Sequence, residues 1–329
     1  MKRREFIGLV GGASGWVVLA PVPGAFAQQY PSRPITIVAP FAAGGPTDTL
    51  ARILAQRMSI TLGQSIVIEN VSGATGSIGV GRVVHSSPDG YTLSIGNPGS
   101  HVVNGAIYPL TYDLLKDFDP ISLLPSNPQL IVARKGIPAN DLKELIAWVK
   151  QNQDKITGGT AGAGSASHIG EIYFQQFTGT SFTFVPYRGT GPAMLDLVAG
   201  HLDIMCDQSS NSLPQVRAGQ VKAYAVTAPK RLAAAPEIPT VDEAGLPGFY
   251  ISVWHGLWVP HGTPPDVIAK LAAAVRESLA DPEVQKRFAD LGQEIPPVEQ
   301  QTPEGLHAHQ KAEIEKWWPI IKAAGIKAE

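Results

Sequence analysis

Ile35-Thr36-Ile37-Val38-Ala39-Pro40-Phe41-Ala42-Ala43-Gly44-Gly45-Pro46-Thr47-Asp48 is the stretch on which the fold turns. Four β-branched residues and an alanine, with no charge among them, read as a short strand buried on both faces. Gly44-Gly45-Pro46 ends that strand. The next run places Leu50, Ile53, Leu54 and Met58 on one face, which predicts a helix. Strand, glycine loop and helix together form the repeating unit of parallel sheets, whose ligands gather on the loops at the strands' carboxyl ends. In this loop the glycines permit close backbone approach. Free amides at the helix start favour an anion, and Asp48 can cap the first turn. A glycine turn with an N-cap and no ligand explains the same residues. The Gly-Lys-Ser/Thr ending of a nucleotide phosphate loop is missing.

Working outward, the alternation repeats. Ser65–Glu69, Tyr91–Ile95, Leu130–Ala133, Thr157–Ala161, Phe182–Val185, Ile204–Cys206, Val221–Val226 and Trp254–Val259 read as strands. Helices are expected near Val80–His85, after the cap at Asn140-Asp141, over Ser165–Phe177, over Met194–Val198, after Pro264-Pro265 and from Thr302 past Trp317-Trp318. Two further loops deserve the same reading as the first. Gly162-Ala163-Gly164-Ser165-Ala166-Ser167-His168 has Ser167 where a dinucleotide fingerprint needs its third glycine. It therefore reads as a second amide-rich cradle with a Ser165 hydroxyl. His168 at that helix start reads as a locally packed residue before it reads as a ligand or a base. In Tyr187-Arg188-Gly189, Tyr187 offers a wall and a phenol, and Arg188 offers a cation or a solvated surface charge. Thr75 and Asn97 follow strands in the first part of the chain, and Asp207 follows Cys206.

Composition narrows the function. The 329 residues are 44% hydrophobic and 16% charged, with a formal net charge of −2. No basic face for a nucleic acid is apparent. Cys206 is the single cysteine, so no intrachain disulfide and no multi-thiolate metal site can form. Residues 1–27 read as an export signal: Lys2-Arg3-Arg4, an apolar run from Phe6 to Ala20, then Ala25-Phe26-Ala27. Arg3-Arg4-Glu5-Phe6-Ile7 fits a twin-arginine signal, and an ordinary Sec signal fits equally. Cleavage would carry the net charge from −2 to −4, so attraction for an anion must be local. Catalytic signatures are missing: no Gly-x-Ser-x-Gly, no His-Glu-x-x-His, no orderable triad. His307 and His309 fall on a polar helix face with Lys311 and Glu313, and Trp317-Trp318 reads as a core anchor.

The chain resembles the Bug family, the extracytoplasmic receptors of tripartite tricarboxylate transporters. The likeness runs through Tyr30-Pro31-x-Arg33-Pro34-Ile35, Val38-x-Pro40-Phe41-x-x-Gly44-Gly45-x-x-Asp48, Gly73-Ala74-x-Gly76-x-x-Gly79 and Pro88-Asp89-Gly90-Tyr91-Thr92-Leu93. It continues through Gly162-x-Gly164-Ser165-x-x-His168, Val185-Pro186-Tyr187-Arg188-Gly189, Pro192-Ala193-x-x-Asp196-Leu197 and Gly200-x-x-Asp203. Pro239-Thr240-x-x-Glu243-x-Gly245 and Trp254-x-Gly256-Leu257 complete it. The resemblance implies a periplasmic, two-lobed α/β binding protein of Venus-flytrap form. Each lobe would be a mostly parallel sheet flanked by helices, with 28–127 plus 255–329 as lobe I and 128–254 as lobe II. It also implies a non-enzymatic monomer without cofactor or metal, which binds a small organic carboxylate in the cleft and serves the membrane subunits of such a transporter. A ligand-sensing module for a membrane sensor kinase is the alternative role. An exported lyase or isomerase using Tyr187, His168 and Asp207 is the enzymatic one. The ligand residues it implies are Phe41, Ala42, Gly44, Gly45, Asp48, Thr75 and Asn97 in lobe I. In lobe II they are Ala163, Gly164, Ser165, His168, Tyr187, Gly189 and Asp207.

Overall fold

A computed structural model describes residues 30–323 together with 325 and 327; the export signal read at 1–27 lies outside the described residues. The strands are β1 (Ile35–Ala39), β2 (Ile66–Asn70), β3 (Thr92–Gly96), β4 (Phe118–Arg134), β5 (Thr157–Thr160), β6 (Thr183–Pro186), β7 (Ile204–Gln208), β8 (Val221–Val226) and β9 (Ser252–Pro260). The helices are α1 (Pro46–Leu62), α2 (Ser77–Val84), α3 (Asn104–Ile107), α4 (Leu142–Gln151), α5 (Ala166–Thr178), α6 (Thr190–Ala199), α7 (Ser209–Arg217), α8 (Pro265–Ala280), α9 (Pro282–Asp290) and α10 (Pro303–Ala323). No helix among the described residues is long and apolar enough to cross a membrane.

Two lobes result. In one, the sheet order is β2-β1-β3-β9-β4; in the other it is β4-β7-β5-β6, with β8 also on β4. Strands that feed a loop and a helix pair in parallel: β1 with β2 and β3, and β5 with β6 and β7. The helix returns the chain to the same end of the sheet, so the loops collect there. The long strands β4 and β9 run antiparallel to their neighbours and pass between the sheets.

The period of two along these strands builds the cores. Ile35, Ile37 and Ala39 of β1 pack with Leu50, Leu54 and Met58 of α1 on one face, and Val38 packs with Val80, Val83 and Trp258 on the other. In the second lobe Ile131 and Ala133 face Phe174 and Phe249, while Leu130 and Val132 face Met194, Leu197 and Met205. Each fully buried Leu or Ile contributes roughly 1.5–3 kcal/mol, so alternate faces are strongly specified.

Sequence patterning foresaw only Leu130–Ala133 of β4. Its first part carries Pro120, Pro125 and Pro128, which read as strand breakers. The ladder with β9 shifts register between Pro120 and Ser122 and again between Leu124 and Asn127, and these irregularities accommodate prolines that cannot donate. Helices α7 and α9 were also not foreseen. His309 is half-buried, edge-on to Trp254 at 4.8 Å, rather than solvated as its polar face suggests. Trp318 does anchor α10: its indole Nε1 donates to the Val102 carbonyl at 2.8 Å.

Candidate functional site

Four helix starts meet where the lobes face each other. Gly45, Pro46 and Thr47 open α1; Ser165, Ala166 and Ser167 open α5; Thr190 opens α6; Gln208 precedes α7. With Phe41, Asn97 and Ala161 they enclose an inner chamber of about 20 Å³, room for about one water molecule. Among the described residues no Lys, Arg, His, Asp or Glu stands on its wall. Helix starts each favour a negative charge by roughly 0.3–1 kcal/mol, and by more when buried. Pro46 has no N–H, so the free amides of α1 begin at Thr47.

An outer chamber of about 570 Å³ adjoins it, and Phe41 and Ala161 line both. Ala42, Thr75, Tyr108, Ala163, Tyr187 and Arg188 contribute to its wall, so the guanidinium-bearing residue belongs to this chamber. Tyr187 is oriented by its hydroxyl, which donates to Asp196 Oδ2 at 2.6 Å.

The loops that form the walls are tied down from behind. In lobe I the Gly44 amide donates to Asp48 Oδ2 at 3.0 Å. Asp48 also accepts from Arg52 at 2.9 Å and from Asn70 Nδ2 at 3.0 Å. Burial pushes the Asp48 carboxyl up, but the bonds from Arg52, Gly44 and Asn70 outweigh it and hold it below its ordinary value. In lobe II the Gly164 amide donates to His168 Nδ1 at 3.0 Å, which leaves the ring proton on Nε2. Ser165 Oγ caps α5 by accepting from the His168 amide at 3.2 Å. Burial lowers the His168 pKa to about 4, so the ring is neutral at pH 7.

The lobes are in contact. The Ala42 amide donates to the Arg188 carbonyl at 2.9 Å, and Thr75 Oγ1 donates to the Ala163 carbonyl at 2.8 Å. Tyr108 lies 3.2 Å from the Thr75 hydroxyl. A Cβ on Gly191 would fall 2.9 Å from the Gly45 nitrogen, so the α1 and α6 starts approach as closely as they do only because that position is glycine.

Of the residues expected to touch a ligand, Phe41, Gly45, Asn97 and Ser165 line the inner chamber, and Phe41, Ala42, Thr75, Ala163 and Tyr187 line the outer one. Gly44, Asp48, Gly164 and His168 stand behind the walls as the two ties. Gly189 caps α6 and packs against Ala42. Asp207 is buried under α7, accepting from Asn211 Nδ2 at 2.7 Å and Ser212 Oγ at 2.8 Å. Burial raises its pKa to about 6. The enzymatic trio is thus three separate fixtures: Tyr187 on Asp196, His168 on Gly164, Asp207 on α7. Thr47, Ser167, Thr190, Gln208 and Tyr108 were not among the expected residues. Three of them lie in loops whose glycines already stood out. Gln208 directly follows Asp207. Tyr108 had no local signal.

A family profile described as "Tripartite tricarboxylate transporter family receptor" matches residues 50–326. The chain belongs to this receptor family. A relative in Agrobacterium vitis, a protein of the TAR-I ttuE-ttuC' intergenic region, is 44% identical over 91% of this chain and 86% of its own. Among solved structures, the periplasmic binding protein BugD is 43% identical with a TM-score of 0.87, covering 91% of this chain and all of its own. MatC from Rhodopseudomonas palustris, solved with bound malate, is 43% identical with a TM-score of 0.84 over 89% of this chain and all of its own. A protein from R. palustris with adipate is 34% identical with a TM-score of 0.85 over 90% of this chain and 99% of its own. These receptors share the two-lobed α/β fold described above.

Proposed function

We propose that this receptor captures a small dicarboxylate, of malate-to-adipate size, between its lobes and presents it to transporter subunits in the membrane. The observation that carries the reading is the inner chamber, where four helix starts converge on a largely apolar wall punctuated by hydroxyls and amides, with no charged side chain among the described residues. Such a wall grips a carboxylate through oriented dipoles that need no reorganisation. Arg188 in the outer chamber suits a second carboxylate. The malate- and adipate-bound neighbours support the same ligand class.

The lobes, 28–127 plus 255–329 and 128–254, would part about β4 and β9, because the inner chamber must widen to admit even a four-carbon acid. A ligand held by both lobes stabilises the closed form alone. The protein would act in the periplasm, as a monomer and without chemistry. Calorimetry with succinate, malate, glutarate, adipate and citrate tests this, paired with small-angle scattering. At least one acid is expected to bind unconverted and to shrink the particle. Failure of every acid at millimolar concentration, or conversion of a bound one, would sink the reading.

A further inference from the structure

We infer that Gln208 makes the inner chamber selective for an acid that carries a hydroxyl beside its buried carboxylate. This rests on the reading of the cleft as a dicarboxylate site. Gln208 ends β7, is 6% exposed, and lines the inner chamber. Its position is rigid, since β7 pairs with β4 at Gln129. Most polar side chains around it are occupied. Ser167 Oγ accepts from the Ala161 amide at 3.0 Å, Thr47 pairs with His255 at 3.3 Å, and Asn97 Oδ1 accepts from the Gly99 amide at 3.0 Å. The Gln208 Oε1 atom is fully buried, and no described donor reaches it.

An amide oxygen left this way is costly, and native proteins rarely tolerate it without a partner. The adjacent Asp207 is an acceptor as well, and it takes its bonds from Asn211 and Ser212. A ligand carboxylate cannot supply the missing proton, since it only accepts, and the helix starts already serve it. A hydroxyl on the neighbouring carbon can donate to Oε1. Sites built to hydrogen-bond a substrate hydroxyl discriminate strongly against analogues lacking it, because the protein group is then stranded.

The test is calorimetry on two matched pairs, malate against succinate and 2-hydroxyglutarate against glutarate, with wild type and Gln208→Leu. Wild type is expected to bind the hydroxy acid roughly 10-fold or more tightly than its partner. Gln208→Leu should erase that preference, bringing the two members of each pair to within about threefold of each other. Gln208→Met provides the same comparison if the leucine variant melts early. Equal binding within each pair by wild type overturns the inference. It would mean the amide is turned over, with its N–H on a carboxylate oxygen. A parallel loss for both members in the variant overturns it as well. If no acid of either pair binds wild type, adipate separates the two readings: its binding overturns this inference alone, and its failure as well removes the dicarboxylate reading beneath it.

Discussion

The loops that face each other across the cleft are tied down by the same device made from different chemistry. In each, a glycine with φ near +80° turns its amide back onto the side chain four residues later: Gly44 onto Asp48, and Gly164 onto His168. The lobe I tie is ionic. Asp48 is charged, braced by Arg52 and Asn70, and held ionised below the normal carboxylate range. The lobe II tie is neutral. His168 accepts only while deprotonated, and it has Phe184 edge-on at 4.7 Å rather than a counter-ion. One geometry thus gives two acid sensitivities. In both lobes the glycine amide is spent on shaping the loop, and the groups that line the chambers are the residues beside it.

The largest break in this pairing is expected from Asp48→Ala. It strands the Gly44 amide, leaves Asn70 Nδ2 with only the Phe41 carbonyl and takes the carboxylate from Arg52, so a loss of about 3 kcal/mol should appear in urea unfolding. His168→Ala should cost less, because a neutral acceptor leaves no charge unpaired.

Next comes pH. The unfolded His168 titrates near its ordinary 6.5 and the folded ring near 4, so the unfolded chain binds more protons between those values. Stability from this group is complete above about 6.5 and is lost as pH falls toward 4. His168→Asn, which keeps an acceptor and cannot titrate, should flatten the wild-type decline over that window by about 3 kcal/mol. A decline of the same slope in both proteins would remove His168 as the acid-sensitive tie. Asp48 should contribute no loss in this window.

The smallest contrast separates the glycines themselves. Both need positive φ, so alanine at either costs about 1 kcal/mol of backbone strain. A Cβ at Gly44 meets nothing within 4 Å, whereas one at Gly164 falls 2.4 Å from Ile107 Cδ1 across the lobe contact. Gly164→Ala should therefore cost about 1 kcal/mol more in thermal unfolding, and it should also favour the open form in scattering.

Much of this was legible from local pattern. The run Ile35–Ala39 is a strand because its β-branched residues have no charged face to expose, and Val221–Val226 is one whose single charge, Lys222, donates to the Ile137 and Ala139 carbonyls. Asp141 caps α4 as its position suggests, accepting from the Glu144 amide at 2.8 Å. The first half of β4 was not legible, because its prolines forbid regular pairing and only the bulges against β9 make them tolerable. Nor was Tyr108, whose hydroxyl reaches the cleft from a short helix with no marked motif.

The sequence by itself determined the order of strands and helices, the glycine loops at strand ends and the family to which the chain belongs. Hydrophobic period, turn chemistry and motif order are properties of neighbours along the chain. Only the tertiary structure decided which loop atoms are paired within the protein. Whether the amide of Gly44 or the oxygen of Gln208 finds a partner depends on groups brought within 3 Å by folding, and no spacing in the sequence encodes that distance.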